Sequence, residues 1–234
     1  ANNSGMTVGG NLSVTSTTGD ITDGWGNATH TVAGTTALTT SANNRTITLD
    51  NTNNAFTGAM TITTNDDSGT DADVILNNGT TALILAASTI DGDLTLTSGH
   101  ASGITDSGTV TVGGNLVATT NDNSGVINLR TLAVDGTVAL TTNGSGNATV
   151  VNDAGLNLAA STVRGNLTAT TTTGNMEDSG VLTIAGTSSF TTSATDATII
   201  LNNANAFTGT VGVNTTGSSG NATVVDASGL NLAA

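Results

Sequence analysis

The chain has 234 residues, 17 of them acidic against three arginines, and a net charge of −14. That balance excludes the clustered Lys and Arg that nucleic acid or an anionic membrane surface would require. Cysteine, lysine, proline and tyrosine are absent, which excludes disulfides, thiolate metal sites and a cysteine nucleophile. No apolar run approaches the roughly 20 residues of a membrane helix. Trp25, Phe56, Phe190 and Phe207 are too few for the aromatic girdles of a membrane β-barrel.

The chain opens ANNSGMTVGG, with no initiator methionine and no signal peptide; Met6 falls inside the first repeat. From Gly10 onward one step recurs, in its fullest form GNLTATT at 165–171. Its opening glycines are Gly10, Gly34, Gly58, Gly92, Gly114, Gly136, Gly165, Gly186 and Gly209, spaced by 24, 24, 34, 22, 22, 29, 21 and 23 residues. Two positions on stands Leu, Met or Val in most copies, and the step ends in two adjacent Thr or Ser residues. A period near 23 marks a stacked repeat.

The coils come in three kinds. The first closes with DSGTVTVGG (106–114) or DSGVLTIAG (178–186). The second closes with NAFTG at 54–58 and 205–209, an ending the middle copy (114–135) lacks. The third carries GNATVV and GLNLAA, at 146–160 and 220–234. The expected organisation is one continuous solenoid over 1–234. It has about nine coils of 21–34 residues, grouped in triplets at approximately 10–91, 92–164 and 165–234. The window opens and stops at nearly the same phase of the triplet, so it reads as cut from a longer chain.

Within a coil the pattern predicts three short strands. In the seventh these are LTATT (167–171), a short strand around Met176, and VLTIAG (181–186), with turns at 172–174 and 178–180. Alternation of period two puts apolar residues on one face and Thr on the other. Gly, Asn, Asp and Ser supply the turns, and no 3.6-residue stripe signals a helix. Three strands in 21–24 residues predict an all-β, right-handed parallel β-helix, since a left-handed hexapeptide solenoid needs about 18 per coil. One core column is expected to hold Leu12, Met60, Leu94, Leu116, Val138, Leu167 and Val211. The next is expected to hold Val14, Leu38, Ile62, Leu96, Leu140, Phe190 and Val213. The longer third-kind coils are expected to project loops at 65–73, 143–147 and 216–221 as a row of bumps.

Chemical centres are sparse. Asp66, Asp67, Asp71 and Asp73 could supply oxygens to calcium, but the two equivalent loops do not repeat them. His30 and His100 lie in different coils with no Cys or Glu at metal spacing. Ser, His and Asp occur without a pattern that suggests a triad, and the three arginines are too scattered for a polysaccharide-cleaving cleft. The expectation is therefore no enzyme, no catalytic, cofactor-binding or metal residues, and no cofactor. A regular Thr face could bind ice or glycan, yet the outward rank Ser13, Ala37, Thr61, Thr95, Val117, Ala139, Thr168, Ser189 and Gly212 is mixed. Asn-X-Ser/Thr sequons at Asn11, Asn27, Asn44, Asn78, Asn143, Asn147, Asn166, Asn214 and Asn221 permit glycosylation.

Repeats of the form STVxGNLTxTT…ITDSGxLTVAG…GTxxLTT resemble the long repeat regions of filamentous-haemagglutinin-like bacterial exoproteins. The resemblance implies a right-handed β-helix, secretion across the outer membrane by a partner transporter, and a place in an adhesin or surface fibre. It carries over no functional residue. The function expected is a structural, non-catalytic segment of an extracellular bacterial fibre or giant surface adhesin, at the cell surface or secreted. The alternative is a ligand-binding solenoid for ice or glycan. The expected partners are an axial continuation of the same chain or head-to-tail copies, with lateral fibre contacts and cell-surface glycans beyond them. Nucleic acid and membrane insertion are not expected.

Overall fold

The computed structural model describes residues 5–24, 28–67 and 71–233. These form an all-β parallel solenoid without a helix: two sheets of twelve strands and a short sheet of three. Each strand pairs with strands of the turns above and below. Leu12–Ser16 lies against Thr36–Thr40, which lies against Met60–Thr63, all in parallel register. The plan read for the seventh coil holds, with strands at Leu167–Thr171, Met176–Asp178 and Leu182–Ile184.

The solenoid makes about ten turns rather than nine. The third-kind coils account for the difference, because each takes one and a half turns. After Met60–Thr63 on the first sheet, the chain crosses to Val74–Asn77 on the second. It then returns as Leu83–Leu85 and Ser88–Ile90, placing Leu85 beside Met60 and Thr89 beside Thr63. Only then does it reach Leu94, which stacks on Val74 in the second sheet. The next third-kind coil reverses the exchange. Leu158 pairs with Val138 and Thr162 with Thr141 on the second sheet, and Leu167 lands on Ala148 in the first. A triplet is thus three and a half turns, and each successive triplet presents its GNL strand on the opposite wall.

Two expectations change as a result. The added residues of the third-kind coils are strand rather than projecting loop: 148–152 is ladder, and 143–147 is a turn with Gly144 at φ 60°. Of the other two expected loops, 217–221 is an exposed turn and 65–73 is irregular, with its centre outside the described residues. Each expected core column is in fact two, on facing walls. Thr36, Met60, Leu167, Ser188 and Val211 belong to the first sheet, and Leu94, Leu116 and Val138 to the second. The inward facing itself is as read: Met60, Leu94, Leu116, Val138, Leu167 and Val211 are all buried. Period-two alternation reports which face is apolar and nothing about which wall a strand joins.

The core is one continuous cluster of aliphatic side chains running the length of the rod. Phe190 and Phe207 meet inside it edge to face at 5.8 Å, a favourable aromatic geometry. At about 4.8 Å per turn, ten turns span roughly 48 Å.

Candidate functional site

From Gly34 onward the opening glycine of the step has a steric cause. Successive glycines stack, with Gly165 N bonded to Gly146 O at 2.9 Å and Gly186 N to Gly165 O at 2.9 Å. A Cβ on Gly186 would sit 2.6 Å from Gly165 O, and one on Gly58 would strike Gly34 O. Only glycine lets the turns approach so closely at that corner.

The Thr-Thr step divides its labour. The first Thr faces outward. The second turns into the rod, where its hydroxyl donates to a turn carbonyl. Thr64 bonds Ala72 O (3.0 Å), Thr120 bonds Gly125 O (2.8 Å), Thr142 bonds Gly146 O (2.7 Å) and Thr171 bonds Gly174 O (3.2 Å). Ser16, Thr40, Ser98, Thr192 and Thr215 make the same kind of bond, Ser98 to a carbonyl of the preceding turn. Here a buried hydroxyl satisfies a carbonyl where the chain leaves the ladder.

A second device sits where the path changes walls. Asn78, 1% exposed, accepts from Phe56 N (2.8 Å) and donates to Phe56 O (3.0 Å) and Ala82 O (2.8 Å). Asn152, its counterpart a triplet later, accepts from Val134 N (2.9 Å) and donates to Val134 O (3.0 Å) and Gly155 O (2.7 Å). In each case a side-chain amide replaces a missing peptide and closes the ladder. In the last third-kind coil Asp226 holds the equivalent place and accepts from Phe207 N (3.1 Å). Burial alone would push its carboxyl up. The backbone N–H groups of Phe207, Ser228 and Gly229, with the Ser228 hydroxyl, outweigh that and hold it below the ordinary value.

Outside, Asn and Asp at the same corner, most of them directly after a glycine, build a further ladder. Asp73 accepts from Asp93 N (2.8 Å), Asp93 from Asn115 N (2.6 Å), and Asn115 from Thr137 N (2.9 Å). Asn147 and Asn166 repeat the pattern with Asn166 N (2.7 Å) and Thr187 N (2.8 Å).

These bonds bear on the candidate residues. Asp73 is part of the external ladder, and Asp66 N donates to Asp91 Oδ2 at 2.9 Å. The centre of the acidic loop, 68–70, lies outside the described residues, as do Ser4, Trp25 and Asn27. Among the described residues no three His, Asp or Glu side chains converge as metal ligands. His30 Nε2 lies 3.0 Å from Asp23 O, and His100 Nδ1 accepts from Ser102 N at 3.0 Å, so each is tied to local backbone. Of the sequons, Asn78 is buried, Asn11, Asn147 and Asn166 accept across turns, and Asn143 donates to Asn121 O.

The outward Thr five positions after each opening glycine would make one rank of eight in a nine-coil stack, but the change of walls divides them and recruits Thr89, Thr111, Thr162 and Thr183 into two ranks of five. Thr15, Thr39, Thr63, Thr89 and Thr111 are in register on five successive turns of the first sheet. Thr97, Thr119, Thr141, Thr162 and Thr183 match them on the second. Each rank is one residue wide, because the row beside the second reads Thr95, Val117, Ala139. A shallow groove of about 630 Å³ crosses the second rank between Thr119 and Thr162, with Asn121, Asn143 and Arg164 at its edge.

Fold and ladders together define a repeat protein of the parallel β-solenoid class. The chain belongs to a family described as repeats of unknown function (DUF5649), whose model matches residues 2–63, 71–130 and 145–214. The three matches begin 69 and 74 residues apart, against 82 and 73 between the triplet starts at Gly10, Gly92 and Gly165. No curated protein and no solved structure matches the chain.

Proposed function

We propose that the chain is a structural, non-catalytic length of an extracellular bacterial fibre or giant surface adhesin of the filamentous-haemagglutinin-like kind. It is secreted or displayed at the cell surface, and it holds other parts of the molecule at a distance. The observation that supports this best is where the polar side chains go. Buried hydroxyls, switch asparagines and the external Asn/Asp ladder all bond backbone of their own or a neighbouring turn, which is chemistry that builds a rod. The repeat sequence resemblance supports the surface location. The axial partner is more of the same repeat.

The five-residue Thr ranks and the groove beside Arg164 support the second reading, a binding face for glycan or ice. Two measurements separate the readings. Replacing the segment at the cell surface by an unrelated parallel solenoid of equal turn number preserves adhesion if it is a spacer and abolishes it if it binds. The purified segment is expected to be blank on a glycan array and in a thermal-hysteresis assay; strong signal in either overturns the structural reading.

A further inference from the structure

The chain holds two Asn-Gly pairs, Asn78-Gly79 and Asn143-Gly144, and the fold treats them oppositely. We propose that Asn143 is a modification site, where the side-chain amide cyclises onto the backbone nitrogen of Gly144 and the ring opens to aspartate or isoaspartate. The proposal goes beyond the rod reading and does not depend on what the rod carries.

At the second pair both reacting groups are accessible. Asn143 is exposed, and its side chain makes one bond, Nδ2 donating to Asn121 O at 3.2 Å. Gly146 N donates to Asn143 O at 3.0 Å, while Gly144 N has no hydrogen-bond partner among the described residues. Glycine at 144 is imposed by the stack: its φ is 60°, and a Cβ there would strike Ser124 Oγ in the neighbouring turn. Asparagine at 143 has its own structural cause. Asn65 and Asn123 bridge turns in the same way, donating to Ser41 O at 3.1 Å and Gly99 O at 2.7 Å. Those two are followed by Asp66 and Ser124, whose side chains crowd an approach to the amide carbon. Of the three bridging asparagines, Asn143 alone precedes a glycine.

At the first pair both groups are held. Asn78 is 1% exposed and its side chain makes three hydrogen bonds, to Phe56 N, Phe56 O and Ala82 O. Gly79 N donates to Asn77 Oδ1 at 3.0 Å. Cyclisation there would have to break the switch that closes the ladder.

The step needs water and nothing else. Gly144 N bonds to Asn143 Cγ, the Cγ–Nδ2 bond breaks, and the amide nitrogen leaves as ammonia with the proton from Gly144 N. Water then opens the imide. Cleavage between the ring nitrogen and Cγ gives aspartate; cleavage at the backbone carbonyl gives isoaspartate, with an extra methylene in the main chain. Either product removes the donor to Asn121 O and adds a negative charge at the edge of the groove that Arg164 shares.

Peptide mapping of the full chain tests this. Trypsin cuts after Arg45, Arg130 and Arg164, which puts Asn78 in the peptide 46–130 and Asn143 in 131–164. The folded protein is kept in mildly alkaline buffer made with heavy-oxygen water, sampled over time and digested, with fragment ions placing each change. The peptide 131–164 is expected to yield two separable acid forms at position 143, both carrying the heavy oxygen. Asn143 should convert about a hundred-fold faster than Asn78, which must first give up some three more hydrogen bonds. In denaturant the two should convert at comparable rates. Asn143→Gln, which would have to close a larger ring, should leave that position unconverted. Comparable rates in the folded chain overturn the proposal, as does an Asn143 that converts only after unfolding. A single aspartate product without isoaspartate also overturns it, because direct hydrolysis of the amide would then be the source.

Discussion

Leu167 and Thr168 are neighbours with opposite fates, the first buried at 1% exposure and the second exposed. Leu167→Asp puts an unpaired carboxylate among aliphatic side chains and should cost about 4 kcal/mol or more. Thr168→Asp should fall within about 0.5 kcal/mol of wild type. Thermal melts of the two decide it, and equal losses would refute the facing. The buried hydroxyls offer a graded test. Thr120 Oγ1 donates to Gly125 O, and Thr120→Val, nearly the same shape, should cost about 1 kcal/mol. Thr142 Oγ1 donates to Gly146 O and also accepts from Arg164 N at 2.9 Å, so Thr142→Val should cost roughly twice as much. Chemical denaturation resolves the difference. The facing of Leu167 was legible because alternation is a local property of the chain. The inward hydroxyl of the second Thr was not, because its partner is a turn carbonyl that becomes available only when the chain bends away from the ladder.

At the scale of the strand and its turn, the switch residues carry the most. Removing Asn152 as Asn152→Leu leaves Val134 N, Val134 O and Gly155 O without their partner, at about 1–3 kcal/mol for each group left buried. The expected result is a large loss in melting temperature, and Asn152→Asp should recover only the acceptor. Asp226 gives the converse case. Its carboxyl titrates below the ordinary value, so the folded state binds that proton less readily than the unfolded chain does. Its contribution to stability is then full above the unfolded carboxylate pKa near ~4 and is lost as pH falls through the lower folded value. The exchange protection of Ala227, whose N–H bonds Asn205 O at 2.7 Å, taken relative to the intrinsic rate at each pH, should fall over that acid window. Asp226→Asn, which places there the residue found at 78 and 152, should remove this pH dependence of the protection. Protection that stays pH-dependent in this variant would show that Asp226 is not its source. The sequence shows VILNN, VVN and VVD closing on a polar residue. It does not show that the amide completes a ladder, because Asn at a strand end reads equally well as a turn former.

For the whole molecule, the exchange of walls decides what the repeat is. Counting glycines yields nine equivalent coils and puts every GNL strand on one face. The pairing register instead makes three and a half turns per triplet, so the outward Thr ranks and the core columns alternate between two sheets. The clue in the sequence was the excess length at 34 and 29 residues between Gly58 and Gly92 and between Gly136 and Gly165. That excess fits a projecting loop or half a turn equally well until pairing selects one, and the buried alternation of Leu83, Leu85 and Ile90 selects the half turn. An alternating screw also spreads any surface chemistry over both sides of the rod, which suits a spacer contacted from every direction better than a flat binding plane. Disulfide trapping tests the register against a background without cysteine. Thr63 lies opposite Thr89 in neighbouring turns, and adjacent strands run about 4.8 Å apart, close enough for an S–S bridge. In the nine-coil stack Thr63 would instead neighbour Thr97. The pair Thr63→Cys with Thr89→Cys should therefore oxidise to an intramolecular disulfide in the folded chain, seen as a two-dalton mass loss and a linked peptide after proteolysis. Thr63→Cys with Thr97→Cys should stay reduced, because Thr97 stands on the second sheet beside Asn77 and Thr119. Linkage of the second pair without the first would restore the nine-coil stack and remove the half-turn screw.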